Sequence, residues 1–219
     1  SAAQFSAWQQ QAQQIPLSLP TLNPYIPSDF ALIPSDGKHY DHPVALTNGD
    51  SMRIYWMPSQ FYASEPKAAI TLALRNKSAI SDARQQVLFG LNDYLSSLAL
   101  DELNSQASVG GISFSTGEDD GLVFNASGFT QRLPELLKKL VEGYASFQPD
   151  AQQLEQAKSW YLDRLEAAEK GKAFEQAIQP MQMLSQLPYT QREARRQLVK
   201  QITLQEVMDY RDALLQHAT

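Results

Sequence analysis

Between residues 68 and 144 the apolar positions switch repeatedly between period two and period 3.6. Ala68–Leu74 (AAITLAL) sets Ile70, Leu72 and Leu74 on one side, which predicts a short strand. From Ser81 to Leu103 the residues Leu88, Leu91, Leu95, Leu98 and Leu103 recur at spacings of three to five, with Val87 and Tyr94 widening the stripe. That predicts one amphipathic helix, with Ser81 as its cap and Asp82 in the first turn. Alternation returns over Gly111–Thr116 and Leu122–Gly128, two strands joined by the acidic tip Gly117–Gly121. Gly128 is expected to turn the chain into a helix striped by Leu133, Leu136, Leu137, Leu140, Val141 and Tyr144. The order strand, helix, hairpin, helix reads as one α+β unit: an antiparallel or mixed sheet packed against long helices.

The flanks read differently. Phe5, Trp8 and Ala12 have helical spacing in a glutamine-rich opening (Ala2–Gln14), which predicts a short helix docked on a neighbouring surface. Six prolines between Pro16 and Pro43 make Ile15–Pro43 an extended arm. Asn48-Gly49 predicts a hairpin turn leading into a half-buried strand with Met52, Ile54 and Trp56 inward. After Phe147 the chain reads as helical. Asp150 and Gln153 form a capping box, and Gly171 closes that helix. Ala173–Leu187 follows, kinked at Pro180. Thr190–Glu193 and Thr203–Glu206 are further capping boxes, and Val207, Arg211, Leu214 and Ala218 line the last helix. Residues 1–43 are thus expected to be an inter-domain linker arm and 44–219 an α+β domain with a helical C-terminal part. The chain opens on Ser1 in the middle of this pattern, as expected for a fragment or a processed product.

Composition narrows the chemistry. Of 219 residues 43% are hydrophobic, enough for one sizeable core. The net charge of -6 repels phosphate backbones and argues against a nucleic-acid partner. The densest basic group, Arg192, Arg195 and Arg196, reads as a solvated helix face. No apolar run approaches the roughly 18 residues that cross a bilayer. With no cysteine there is no disulfide, thiolate nucleophile or Cys-type zinc site. His39, Asp41 and His42 crowd together, yet two histidines and an aspartate in a proline-rich loop lack a third strong ligand, so a solvated loop is expected. Glu118, Asp119 and Asp120 lack the alternating ligands of a calcium loop and read as a charged tip that discourages edge pairing. Val109-Gly110-Gly111 has neither the spacing nor the lysine of a phosphate loop. His217 is expected to be exposed near the end. There is no G-x-S-x-G, H-E-x-x-H or H-x-x-E-H. No catalytic, cofactor-binding or metal-ligating residue is assigned.

Several segments together resemble the inverted-zincin metallopeptidases of the pitrilysin and insulysin type. They are LPTLNPYIPSDFAL, Pro66-Lys67 ahead of AAITLAL, the Gly-Gly exit into ISFS, GFTQRLPELLKKL, and AKSWYLDRLEAAEKGKAFEQA. The resemblance covers essentially the whole chain. It implies a large enzyme of four homologous α+β domains, in two halves that close around a chamber holding small peptides. It places zinc in the first domain, on the two histidines of H-x-x-E-H and a distal glutamate. None of that motif stands in this sequence. The resemblance therefore implies the third, non-catalytic domain with the inter-half linker attached, inactive alone and zinc-free. Its partners would be the other domains of the same polypeptide and the peptides the parent degrades. Likeness to the bacterial members implies the periplasm. The alternatives are a non-peptidase interaction module of the same fold and an independent enzyme with a dispersed site.

Overall fold

The computed structural model describes residues 4–6, 8, 21–34, 37–49, 52–59, 62–76, 81–118, 121–170 and 191–216. Strand β1 (Val44–Asn48) pairs antiparallel with β2 (Arg53–Trp56) as a separate two-stranded sheet. Strands β3 (Lys67–Arg75), β4 (Ile112–Glu118) and β5 (Gly121–Phe129) form an antiparallel sheet in the order β3-β5-β4. Helices α1 (Ala83–Ala99) and α2 (Asp101–Val109) lie between β3 and β4. Helices α3 (Leu133–Ser146), α4 (Ala151–Glu169), α5 (Arg192–Gln201) and α6 (Leu204–Gln216) follow β5. The α+β class expected from the sequence is the class observed.

The sheet is apolar on one side. Phe124, Leu122, Ala126 and Ile112 are buried there, with Ile70, Leu72 and Phe114 packed beside them, against Ala107 of α2 and Leu133, Leu136, Leu140 and Tyr144 of α3. A second core is built mainly from helices, with Phe147 and Ile202 added from the links between them. Val87, Leu88, Leu91 and Leu95 of α1 meet Leu154, Ala157, Tyr161 and Leu165 of α4, Val199 of α5, and Val207, Tyr210 and Leu214 of α6. The period-3.6 stripes thus became largely buried faces, as amphipathic helices require, while Leu98 of the first stripe stands 38% exposed.

Several local expectations need correction. The helix over 81–103 is two helices, bent at Leu100 and running on to Val109. Leu100 has φ -97° and ψ 2° and is 4% exposed, drawn inward against Phe124 and Tyr144. Backbone hydrogen bonds pass through the bend, from Leu100 N–H to Ser96 O at 3.0 Å and from Asn104 N–H to Leu100 O at 2.8 Å. The cap is Asp82, not Ser81: its carboxylate accepts from Gln85 N–H at 2.9 Å, while Ser81 bonds the Gln85 side chain. The β2 strand is not half-buried. Met52 and Ile54 are exposed, because the hairpin has no third strand or helix layer over it among the described residues. Gly128 does not turn the chain. It stays in β5, opposite Ala68 and Ile112, at φ 143°, where an added Cβ would lie 2.5 Å from Gly111 O. Glycine is needed there for close strand approach.

Both testable capping boxes form in whole or in part. Asp150 and Gln153 exchange side-chain and backbone bonds at 2.8 and 2.9 Å. Thr203 and Glu206 do the same at 2.9 and 3.3 Å. Helix α5 starts from Gln191 with no side-chain cap bond; Thr190 lies outside the described residues. So do Gly171, the Ala173–Leu187 helix with Pro180, and most of Ala2–Gln14.

Candidate functional site

The arm is fastened to the domain. Between residues 21 and 34 it has no regular structure, yet Tyr25 is 3% exposed and packs with Ala107, Ile112, Leu133 and Leu136. Asn23 Nδ2 donates to Gln106 O at 2.7 Å, and Asn23 Oδ1 accepts from Tyr25 N–H at 2.9 Å. Gln131 Oε1 accepts from Ser28 N–H at 2.8 Å and Asp29 N–H at 3.0 Å. Phe30 meets Phe129 edge-on at 5.3 Å between ring centres. Gly110 has no side chain because the Tyr25 carbonyl fills that space. The Val109-Gly110-Gly111 turn therefore serves packing.

The middle of the open face of the β3-β5-β4 sheet carries small, uncharged side chains, between Lys67 at one end of β3 and Arg75 at the other. Ala69, Ser127 and Ser113 share one register row, and Thr71, Asn125 and Ser115 the next. Thr71 Oγ1 donates to Asn125 Oδ1 at 2.8 Å, and the Ser113 and Ser127 hydroxyls lie 3.0 Å apart. A groove of about 500 Å³ crosses this face beside Tyr62, Glu65 and Lys67. Lys67 Nζ pairs with Glu65 at 2.9 Å and sits 5.7 Å over the Phe129 ring. The groove offers hydroxyls and one paired cation. Among the described residues that line it there is no serine–histidine or carboxylate–carboxylate pair of the kind nucleophilic or acid–base catalysis uses.

A second depression, about 360 Å³, lies where α1 and α6 begin. Asp82, Arg84, Glu206, Asp209 and Tyr210 line it, and Arg84 pairs with Glu206. Arg84, then Thr203 N–H, holds the Glu206 carboxyl below the usual range. These charges cap two helices, which explains them structurally.

The polar residues weighed and set aside in the sequence lie as follows. His39 Nε2 lies 3.2 Å from Asp41 Oδ1, with both side chains largely in solvent, and His42 is exposed. Glu118 ends β4, exposed; Asp119, Asp120 and His217 lie outside the described residues. Among the described residues no three His, Asp or Glu gather in a way that could hold a metal ion. Arg192, Arg195 and Arg196 are not a solvated face. All three are half-buried: Arg192 reaches Ala168 O at 3.4 Å, Arg195 lies beside Tyr161, and Arg196 pairs with Glu193 at 3.5 Å.

The structure also buries polar groups to which the sequence assigned no particular role. Arg211 is 4% exposed; it donates to Phe147 O at 2.6 Å, bonds Asp212, and lies 5.0 Å over the Phe147 ring. Asn92 is fully buried and its amide donates to the Tyr144 hydroxyl. Burial pushes the Tyr144 and Tyr210 phenols well above their usual value. Burial also raises Asp93, against the opposing hydrogen bond from Thr116 at 3.0 Å. The signal for Arg211 was a cation inside an apolar stripe, and for Asn92 an amide one residue from Leu91.

Comparison with known proteins supplies what the geometry lacks. Residues 1–197 match the family described as the middle or third domain of peptidase M16. Protease 3 of Escherichia coli K12 is 58% identical over 214 residues, which is 98% of this chain and 22% of that protein. Insulin-degrading enzyme-like 2 of Arabidopsis thaliana is 30% identical over 64% of this chain and 14% of its own length. The crystal structure of pitrilysin superposes on 100% of this chain at a TM-score of 0.92 and 57% identity, covering 23% of that chain. The periplasmic protease PqqL of Escherichia coli shares the fold over 70% of this chain, at a TM-score of 0.53 and 18% identity. This chain thus spans about a fifth of the length of the curated relatives it matches. It belongs to the M16 peptidase family, as the middle or third domain of a pitrilysin-type member.

Proposed function

We propose that this chain is the non-catalytic domain of a zinc metalloendopeptidase that degrades small peptides in a closed chamber. The observation that carries the reading is its match, 58% identical over 98% of its length, to a fifth of Protease 3, by a sequence without H-x-x-E-H. Selection by enclosure needs walls as well as a metal, and a domain can supply shape and contacts without chemistry. In this reading residues 44–219 contribute wall and inter-domain contacts, and residues 1–43 tie the two halves. The strap at Asn23–Phe30 supports an anchored tie rather than a loose one. No residue here is given a catalytic or zinc-ligating role; zinc and its ligands belong elsewhere in the polypeptide. The partners are the other domains and the peptides being degraded, and the compartment is the periplasm, as likeness to bacterial relatives suggests.

The test compares the 219-residue chain with the longer polypeptide its gene encodes. Zinc content and hydrolysis of a small fluorogenic peptide are measured with and without a chelator. The expected result is chelator-sensitive hydrolysis by the longer polypeptide and none by the chain. Chelator-sensitive hydrolysis by the chain alone overturns the reading. So does a longer polypeptide that lacks both H-x-x-E-H and peptidase activity, which would favour the interaction module.

A further inference from the structure

Exposed apolar surface is unevenly distributed. Among the described residues sixteen large apolar or aromatic side chains stand well exposed, and only Leu98 and Val109 of these lie after residue 62. The β1–β2 hairpin and the residue after it carry a dense group, with Leu46 61%, Tyr55 58% and Met57 45% exposed. A two-stranded ribbon with no covering layer is marginal in water. By alternation this one presents Ile54 and Trp56 on one side and Tyr55 on the other. Tyr40 packs edge-on against Trp56 at 5.8 Å, which covers one side in part. Between Val44 and Ser59 the only charged residues are Asp50 and Arg53, so a complementary surface would be apolar.

The pitrilysin crystal chain matches all of this chain, hairpin included, and more than three-quarters of its length lies outside the match. The same arrangement therefore recurs in a polypeptide with ample chain to cover it.

We infer that the β1–β2 hairpin is a docking arm, covered by an apolar surface of a neighbouring domain of the same polypeptide. This rests on the reading of the chain as one domain of a longer peptidase. It goes further by naming the element that makes the contact and the chemistry of what meets it. Burying Tyr55, Leu46 and Met57 supplies the covering layer that a lone ribbon lacks.

The chain has no cysteine, so a single introduced thiol is a unique probe of cover. Tyr55→Cys and Leu46→Cys are made separately in the 219-residue chain and in the longer polypeptide. Maleimide labelling is timed against the unsubstituted proteins, and a thermal melt checks folding of each variant. Two positions keep the test open should one variant fail to fold. Labelling at both positions is expected to slow about tenfold or more in the longer polypeptide, since reaction then requires opening of the interface. Equal rates in the two proteins overturn the inference. Slow labelling in the short chain that strengthens with protein concentration assigns the face to a second copy, and overturns it too. Failure here leaves the peptidase assay untouched, because a domain with an exposed hairpin could still belong to an active enzyme.

Discussion

Replacing Gly110 by alanine tests the strap through the sign of its effect. Gly110 caps α2 with φ -77° and ψ 1°, a conformation any L-residue adopts. At such a site alanine normally stabilises by about 0.4–1 kcal/mol, because it restricts the unfolded chain. Here the new Cβ would lie 2.3 Å from Tyr25 O and 2.7 Å from its carbonyl carbon. Those are backbone atoms, so the strap itself must move. Tyr25 is 3% exposed. A buried aromatic removes about 150–250 Å² from water, worth about 4–6 kcal/mol at 25 cal/mol/Å², as an upper bound. A shift that gives up half of that burial costs about 2–3 kcal/mol, more than alanine's backbone gain. The net expectation is a loss of about 1–2 kcal/mol, read as a lower urea midpoint by circular dichroism at unchanged slope. Hydrogen exchange should localise the change to residues 23–30 and leave the β3-β5-β4 sheet protected. In a Tyr25→Ala background the strap yields, and the cost should shrink toward zero or reverse. A raised midpoint for Gly110→Ala in the unsubstituted chain would refute the strap.

Arg211→Met keeps the packed stem but leaves Phe147 O without its donor, and should cost about 1–3 kcal/mol by urea unfolding. Glu206 is held below the usual carboxyl range, first by Arg84 and then by Thr203 N–H, so its stabilisation is present above the unfolded value near 4.3 and fades as pH falls through the folded one. The advantage of the unsubstituted chain over Glu206→Gln in thermal melts should therefore shrink on acidification; a constant difference from pH 7 to pH 3 counts against it. Tyr144 and Tyr210 have raised values because burial disfavours the phenolate. Their stabilising effect is complete below about pH 10 and is lost as pH rises above that. Tyrosinate absorbance should show them ionising together with unfolding at alkaline pH; reversible ionisation in the folded protein contradicts their burial.

The elements with strong periodicity were legible from residues alone. The stripes of α1 and α3 became largely buried faces because helix burial needs little beyond correct spacing. The hairpin of β4 and β5 was legible for the same reason at period two. Depth was less legible. Met52, Ile54 and Trp56 alternate as a half-buried strand should, but alternation says nothing of whether a covering layer is present. Leu100 fits a continuous helix, and its bend follows from a pocket made by Phe124 and Tyr144, residues distant in sequence. Proline marked the arm as irregular without showing that Tyr25 fills a core position. The three arginines of α5 counted as surface by composition, yet all three are half-buried, as long cationic side chains can be. Spacing gave no site because the sequence has no catalytic motif such as H-x-x-E-H; family likeness carried the functional reading.

Helix α1 belongs to both cores. Its Leu88, Leu91 and Leu95 line the mainly helical cluster, while Asn92 holds Tyr144 and the chain bends at Leu100 into the sheet-side cluster. This helix therefore acts as a common wall, and loosening either side removes support from the other. The unit should melt in a single transition despite having two interiors. A deletion that stops at residue 197, where the family match ends, would strip Ile202, Val207, Tyr210 and Leu214 from one interior and weaken the sheet side as well.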